Sequence, residues 1–322
     1  MPDSVRVAIH ASEASSLQQR LTTRFPSVQT VPCDSNAALA EALKKTQPNA
    51  VYSVRFDGHE FPRDALFAEG GPRWIANGGV GVDHLSPWDP SRVTVTNAAG
   101  VAADMMAEYA LGGFLHFTLD IPGLQTDKAG RIWDATRLVR PLKGQTLLII
   151  GLGHTGQSLA TRAKAFGMRV IGTRARPREM EDIDQVAAPS ELPNLLPQAD
   201  FIAVCTPLTK HTRSMIGADQ IALMKPGVIL ADVSRGGVVD QTTLAKALAT
   251  GVIGGAALDV FEVEPLPETS PLWGLDNVIL SPHCSAVHSG WEVASFNIFL
   301  DNLDRWLKGE ALVNVVDPAL GY

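Results

Sequence analysis

The chain has 322 residues, of which 45% are hydrophobic and 19% are charged, so it can form a sizeable core and we do not expect a disordered protein. This length predicts two domains of ordinary size. The net charge of −7 argues against a nucleic-acid-binding role, which usually requires a basic face, but it leaves an anionic substrate open because one arginine can dominate a pocket.

The three cysteines, Cys33, Cys205 and Cys284, are far apart in the sequence. They have neither the number expected of a disulfide framework nor the spacing of metal ligands, so we predict no metal site and a reducing compartment, the cytoplasm. The first residues lack the pattern of a signal peptide, and no apolar stretch is long enough to span a membrane.

Short β-branched runs alternate with helical patterns along the chain, which is typical of α/β proteins with parallel sheets. In chain order we predict a strand at 5–9, helical spacing at 37–43, strands at 50–54 and 93–96, a long helix at 102–118, an irregular stretch at 120–144, a buried strand at 146–150, alternating strands and helices up to 281, and an amphipathic helix at 291–308.

This order predicts an α/β fold with two domains. Residues 101–285 are expected to form a dinucleotide-binding domain with a Rossmann-type doubly wound parallel sheet. Residues 1–100 and 286–322 are expected to form a second, flavodoxin-like α/β domain that binds substrate, with a cleft between the two domains.

A glycine-rich turn follows the strand at 146–150 and matches G-x-G-x-x-G at Gly151, Gly153 and Gly156, with His154 and Thr155 between them. The first glycine permits a tight turn, the second lets a pyrophosphate approach the backbone, and the third lets the next helix pack on the strand. The amides at the start of that helix would face the phosphates. The motif alone is weak, but the strand before it and the helix after it favour a nicotinamide dinucleotide.

The next strand ends in Thr173, Arg174, Ala175 and Arg176, where an NAD enzyme normally has an acidic residue for the ribose 2′-hydroxyl. Two guanidinium groups at this position favour the 2′-phosphate of NADP(H), which arginine can bind in a bidentate manner. NAD(H) remains the alternative, with one or both arginines solvated.

Chemically active side chains follow the later strands of the same domain, namely Arg235, then Glu262 and Glu264, and last His283. The carboxyl ends of parallel strands share one edge of a sheet, which is where ligands bind. Reduction of a 2-keto acid needs a proton donor, for which a histidine is suited, and a cation that binds the carboxylate and polarises the carbonyl, for which Arg235 is suited. A glutamate would orient the imidazole, and the residues alone leave Glu262 and Glu264 as competing partners.

The chain resembles the D-isomer-specific 2-hydroxyacid dehydrogenase family over nearly its whole length. The resemblance rests on the stretches at 79–83, 95–101, 151–156, 206–212, 234–240, 258–265 and 281–283. The arginine pair at 174 and 176 is similar to the glyoxylate and hydroxypyruvate reductase branch. The family usually continues its histidine motif with residues such as Ile-Gly, whereas this chain has Cys284 and Ser285.

The resemblance implies a reductase that converts a small 2-keto acid of the glyoxylate or hydroxypyruvate type into a D-2-hydroxy acid, and it implies a homodimer. It assigns the catalytic roles to Arg235, Glu264 and His283, with His283 as proton donor. It places cofactor contacts at Thr206, Pro207, Thr212, Val233, Arg235, His283 and Asp259, the last to the nicotinamide amide. It places substrate contacts at the backbone of Val80 and Gly81 and at the side chains of Arg55, Arg235 and His283.

Two alternatives remain on the same scaffold. A nicotinamide-sensing regulatory protein of the corepressor type could keep the three catalytic side chains. A formate- or phosphite-oxidising relative is the other alternative. The formate type would pair its histidine with glutamine, which makes Glu264 an argument against that type.

Overall fold

The computed structural model describes residues 5–54 and 61–321 and divides the chain into two compact units. Unit 1 comprises Met1–Val101 and Ser289–Tyr322, and unit 2 comprises Ala102–His288. Within the described ranges, no helix is both long and apolar enough to cross a bilayer.

Unit 1 begins with a parallel five-stranded sheet whose strand order is β2-β1-β3-β4-β5, the flavodoxin-like order. Its elements are β1 (Arg6–His10), α1 (Ala14–Arg24), β2 (Gln29–Cys33), α2 (Asn36–Thr46), β3 (Ala50–Ser53), α3 (Arg63–Phe67), β4 (Trp74–Asn77) and β5 (Thr94–Thr96). Strands β3 and β4 are buried along their whole length because helices cover both faces of the sheet. The sequence patterns did not single out β2 or β4.

Unit 2 contains a parallel seven-stranded sheet with the order β12-β11-β10-β9-β6-β7-β8. Its elements are α4 (Ala103–Thr118), α5 (Ile121–Gly130), β6 (Thr146–Ile150), α6 (His154–Ala165), β7 (Arg169–Thr173), β8 (Gln185–Ala187), α7 (Leu192–Leu195), β9 (Phe201–Val204), α8 (Ala218–Ala222), β10 (Val228–Asp232), α9 (Gln241–Ala249), β11 (Ile253–Leu258) and β12 (Val278–Leu280). Counted from β6, this is the Rossmann order 3-2-1-4-5-6 with one further strand. The predicted Rossmann-type fold is therefore confirmed.

The prediction of an irregular stretch at 120–144 is wrong for its first part, where α5 forms. The side chain of Asp120 caps this helix by accepting a hydrogen bond from the Gly123 amide. Pro122 lies in the first turn, where proline costs no helical hydrogen bond. Arg137 then forms ion pairs with both Asp120 and Asp127. Proline and glycine at 122 and 123 had indicated a loop, but at the start of a helix both residues are tolerated.

The last helix, α10 (Trp291–Lys308), completes the core of unit 1. The ring of Phe296 lies 4.9 Å from that of Tyr52 in an edge-on arrangement, and Phe299 stacks on Trp74 at 4.9 Å. All four rings are buried, so α10 supplies a large part of the apolar area on this face of the sheet.

Candidate active site

The glycine turn after β6 is packed against its own sheet on the inner side and open on the outer side. Gly151 has φ +104°, and a β-carbon there would lie 2.9 Å from the Cys205 and Thr206 backbone. A β-carbon on Gly156 would lie 2.2 Å from the carbonyl oxygen of Gly151, so only glycine allows this helix-to-strand contact. Gly153 caps α6 and has open space around it, and His154 and Thr155 form the first turn of that helix. The cradle suits a dinucleotide pyrophosphate, whose oxygens would accept hydrogen bonds from exposed backbone amides.

The end of β7 has guanidinium groups where a ribose-binding carboxylate would stand. The carbonyl of Thr173 accepts hydrogen bonds from the amides of Gly151 and Leu152, which ties this strand end to the glycine turn. Arg174 is half-buried with its guanidinium 3.4 Å from the sulfur of Met180, and Arg176 is exposed.

The hydroxyl of Thr212 holds the loop after β9 together with hydrogen bonds across the loop. Thr212 Oγ1 donates to the Pro207 carbonyl at 2.6 Å and accepts from the Thr209 amide at 2.7 Å. Thr206 lies beside Gly151, because a β-carbon placed on Gly151 would be 2.9 Å from the Thr206 backbone nitrogen. On the neighbouring strand, the Val233 amide donates to Val204 at 3.1 Å. The loop therefore continues the carboxyl edge of the sheet from the glycine turn toward β10.

Arg235, Glu264 and His283 follow three neighbouring parallel strands, β10, β11 and β12. His283 Nδ1 lies 2.9 Å from Glu264 Oε2, and both side chains are partly exposed. The other carboxylate oxygen of Glu264 accepts from the Phe261 amide at 3.0 Å. The guanidinium of Arg235 donates to the Ser234 carbonyl at 2.7 Å. An imidazole, a carboxylate and a guanidinium thus stand on adjoining loops at one sheet edge.

The structure separates the two glutamates that the sequence left as competitors. Glu262 Oε1 accepts from the Gln241 amide at 3.0 Å, and Gln241 Oε1 accepts from the Glu262 amide at 3.2 Å. This reciprocal pair ties the loop after β11 to the start of α9. Glu264, two residues later, is the carboxylate beside His283.

Two buried aspartates below this edge were not singled out as structural groups by the sequence. Asp232 ends β10 and is 4% exposed, and its Oδ1 accepts from the Ser234 amide at 3.0 Å and from its hydroxyl at 2.5 Å. Burial raises the pKa of Asp232 to about 7, and the nearby charge of Asp259 acts in the same direction. Asp259, directly after β11, accepts hydrogen bonds from the Ser281 hydroxyl and from the amides of Cys284 and Ser285, on the loop that carries His283. Ser234, just after β10, and Ser281, directly after β12, are the sequence signal for such bonds.

Of the three substrate residues predicted in unit 1, the structure describes Val80 and Gly81. The carbonyl of Val80 accepts from Asn97 Nδ2 at 2.9 Å, and that of Gly81 accepts from Asn77 Nδ2 at 3.0 Å. These two bonds fix the turn after β4. Arg55 lies outside the described residues. Within 5–54 and 61–321, no group of three or more His, Cys, Asp or Glu side chains is arranged to hold a metal ion.

Comparison with known proteins adds independent information. A family model described as D-isomer specific 2-hydroxyacid dehydrogenase, NAD binding domain, matches residues 113–285. The glyoxylate reductase of Korarchaeum cryptofilum is 35% identical over 276 residues, which is 80% of each chain. The D-3-phosphoglycerate dehydrogenase of Methanocaldococcus jannaschii is 37% identical over 281 residues, which is 86% of this chain, but this chain spans only 53% of that relative.

A solved structure extends the likeness to the full chain. The D-isomer specific 2-hydroxyacid dehydrogenase of Xanthobacter autotrophicus Py2, in complex with NADPH and MES, superposes with a TM-score of 0.83. It is 26% identical in sequence, and the match covers 99% of this chain and 100% of the other.

The chain belongs to the D-isomer specific 2-hydroxyacid dehydrogenase family, as its sequence motifs predicted. It is an oxidoreductase with a nicotinamide-dinucleotide-binding domain, and enzymes of this family act on small 2-hydroxy or 2-keto acids.

Proposed function

We propose that this protein reduces a small 2-keto acid, of the glyoxylate or hydroxypyruvate type, to a D-2-hydroxy acid with NADPH. The observation that carries this proposal is the 2.9 Å contact between His283 Nδ1 and Glu264 Oε2, on loops that adjoin the Arg235 turn. The similarity to an enzyme named glyoxylate reductase supports the substrate class.

His283 is the proton donor in this mechanism. Its Nδ1–H donates to Glu264, which fixes the ring and leaves the Nε2–H to be delivered to the forming alkoxide. Arg235 binds the substrate carboxylate and polarises the carbonyl through its guanidinium group. When bound, the reduced nicotinamide supplies the hydride.

The residues that would hold the cofactor run along the carboxyl edge of the seven-stranded sheet. The turn at Gly151, Gly153 and Gly156, with His154 and Thr155, binds the pyrophosphate. Thr173, Arg174 and Arg176 bind the adenosine ribose, and the two guanidinium groups favour NADPH over NADH. The NADPH named in the Xanthobacter structure supports this preference. The nicotinamide half would be held by the loops after β9, β10 and β11, at Thr206, Pro207, Thr212, Val233 and Asp259.

For the substrate carboxylate we also propose the backbone amides of Val80 and Gly81, whose carbonyls are engaged by asparagines, and the side chain of Arg55. Residues 1–100 and 286–322 form the substrate-binding domain in this proposal, and residues 101–285 form the cofactor-binding domain. We propose a homodimer, and the cytoplasm as the compartment because Cys33, Cys205 and Cys284 are free.

The test is a panel of 2-keto acids assayed by loss of NADPH or NADH absorbance, with the chirality of the product determined. We expect turnover of glyoxylate or hydroxypyruvate. At a low cofactor concentration, the rate should be higher with NADPH than with the same concentration of NADH. His283→Ala should lower kcat by roughly 10²–10⁴-fold and leave the Kd for NADPH within about threefold. Binding of NADPH without turnover of any 2-keto acid would contradict the proposal and favour a sensor.

A further inference from the structure

The turn at 78–81, which follows β4, has all four of its carbonyl groups bound by donors of unit 1. The donors to the carbonyls of residues 79, 80 and 81 belong to the turn and to the loop after β5, and they are Asn77 Nδ2, the Ala98 amide and Asn97 Nδ2. The carbonyl of Gly78 differs, because its donor is the hydroxyl of Ser295 on α10, at 2.7 Å. This bond joins residues that are 217 positions apart in the chain, so α10 takes part in holding the turn.

The hydroxyl of Ser295 is itself held by a second hydroxyl. Ser295 Oγ lies 3.0 Å from Tyr52 Oη, and the two residues are 2% and 1% exposed. Because the single hydroxyl proton of Ser295 goes to the Gly78 carbonyl, Tyr52 is the donor in this pair. Burial raises the pKa of Tyr52, so its hydroxyl keeps its proton. Hydrogen bonds therefore run from Tyr52 to Ser295 to Gly78, and each bond in such a chain polarises the next.

Gly78 lies directly against these hydroxyls. A β-carbon at residue 78 would lie 2.9 Å from Tyr52 Oη and 2.8 Å from Val54 Cγ2, so a side chain there would force its neighbours to move. The Gly78 amide donates to the Ser53 carbonyl at 2.8 Å. The peptide groups on either side of Gly78 are thus held by β3 through the amide and by α10 through the carbonyl.

The direction of a carbonyl fixes the direction of the amide that follows it. In a trans peptide the C=O of one residue and the N–H of the next lie in one plane and point in opposite directions. The donors to the carbonyls of residues 78, 79 and 80 therefore set the directions of the amides of residues 79, 80 and 81. Ser295 orients the first of these three peptide planes. The other two planes carry the amides of Val80 and Gly81, to which we assign the substrate carboxylate.

We propose that Ser295 is a positioning residue for the substrate carboxylate, which acts through the Gly78 carbonyl and is supported by Tyr52. The proposal rests on the proposed function, because it concerns the turn that binds the carboxylate of the 2-keto acid. This carboxylate is bound in the substrate and in the transition state alike, so a displaced turn weakens both by similar factors. Loss of the Ser295 hydroxyl should therefore raise KM and leave kcat nearly unchanged.

The test compares Ser295→Ala with the wild-type enzyme in steady-state reduction of the best 2-keto acid at saturating NADPH. We expect KM for the 2-keto acid to rise by roughly 5–20-fold, while kcat and the Kd for NADPH stay within about threefold. Ser53→Ala is the matched control, because its hydroxyl is equally buried in unit 1 but bonds His10 Nδ1, at 2.9 Å. Its main chain keeps the bond to Gly78, so its KM should stay within about twofold of the wild-type value.

A merely structural role of Ser295 gives a different result. A destabilised protein has a smaller folded fraction, which lowers the apparent kcat and leaves KM unchanged. A KM for Ser295→Ala no higher than that of Ser53→Ala therefore overturns the proposal. Ser295→Thr retains a hydroxyl donor and should have a KM within about threefold of the wild-type value. A Ser295→Thr protein of wild-type stability with the KM of Ser295→Ala also overturns the proposal.

Tyr52→Phe tests the support of Ser295 by the second hydroxyl, and it keeps the ring that packs on α10. If Tyr52 acts on the turn only through Ser295, this variant should raise KM by roughly 2–3-fold. In combination with Ser295→Ala it should raise KM no further than Ser295→Ala does alone. Multiplied effects on KM would contradict the order of donation. Tyr52→Phe also keeps the proposal testable if Ser295→Ala does not fold.

Hydrogen exchange separates failure of this proposal from failure of the proposed function. Exchange at the amides of residues 79–82 needs neither substrate nor turnover. We expect it to be faster in Ser295→Ala than in Ser53→Ala and in the wild-type protein, and unchanged exchange would overturn the positioning role. A wild-type protein that turns over no 2-keto acid would instead refute the proposed function, and the exchange result would still test the contact between α10 and the turn.

Discussion

A β-carbon on Gly236 would lie 1.7 Å from the carbonyl oxygen of Phe261, closer than any non-bonded contact allows. The two residues belong to the loops after β10 and β11, one carrying Arg235 and the other Glu264. Glycine at 236 therefore sets the separation of these two loops, and through them the separation of the guanidinium from the carboxylate.

Gly236→Ala should push the two loops apart, because the obstacle is backbone and cannot rotate away. We expect kcat/KM to fall by roughly 10²-fold and stability to fall by about 1–3 kcal/mol. Gly274→Ala is the matched control, since a β-carbon there meets no atom within 4 Å. Steady-state kinetics and thermal unfolding of both variants check this, and similar behaviour of the two would contradict it.

Glu264→Gln should impair turnover while Glu262→Gln should not. A glutamine at 264 can keep its oxygen on the Phe261 amide only by turning its NH₂ toward His283 Nδ1, which then cannot carry a proton. We expect kcat to fall on the order of 10²-fold, as when a catalytic histidine is held in the wrong tautomer. Glutamine at 262 still accepts from the Gln241 amide. Equal kcat values for the two variants would remove the role of Glu264.

Arg174→Asp should raise the KM for NADPH much more than the KM for NADH, by roughly tenfold or more, because it replaces a phosphate-binding cation with a carboxylate. Arg178→Asp makes the same change of charge four positions later, on an exposed residue. The Arg178→Asp variant therefore shows how much a change of surface charge alone raises the KM for an anionic cofactor. Equal shifts for the two cofactors in Arg174→Asp would contradict the preference for NADPH.

Asp232→Asn should change how stability depends on pH. In the wild-type protein the folded state binds a proton at Asp232 up to about pH 7, whereas the unfolded chain releases it near pH 4. The free energy of unfolding therefore falls as pH rises through this window, by roughly 2–4 kcal/mol for this group. Asparagine keeps the acceptor for Ser234 and does not ionise, so the variant should gain stability over the wild type between pH 4.5 and 7.5.

Urea denaturation of both proteins at pH 4.5, 6 and 7.5 measures this gain. Asp184→Asn is the control with opposite sign, because the Val170 amide lowers the pKa of Asp184 and its contribution is lost on acidification. A constant difference between Asp232→Asn and wild type across the range would contradict the raised pKa.

The sequence predicted six of the seven strands of unit 2, all except β8, and the loops that carry Arg235, Glu264 and His283. Each of these six strands is a short apolar run that ends abruptly at polar or glycine residues. The sequence did not predict α5, since proline and glycine at its start indicate a loop as readily as a helix. The sequence also did not decide whether Glu262 or Glu264 is the partner of His283. The two residues lie on one loop, and which of them faces the histidine depends on how the loop turns, which no local sequence pattern specifies. The bonds from Asp259 to Ser281 and Ser285 join segments more than twenty residues apart, and no local pattern records them. The catalytic roles themselves remain predictions.

The position of α10 has a consequence for synthesis of the protein. Tyr52 and Trp74 are made early, but the rings that cover them, Phe296 and Phe299, emerge from the ribosome only after all of Ala102–His288. At ordinary rates of translation this delay is on the order of tens of seconds. Synthesis of unit 2 is therefore complete before that of unit 1. During this interval one apolar face of the unit 1 sheet is uncovered and can bind chaperones or aggregate.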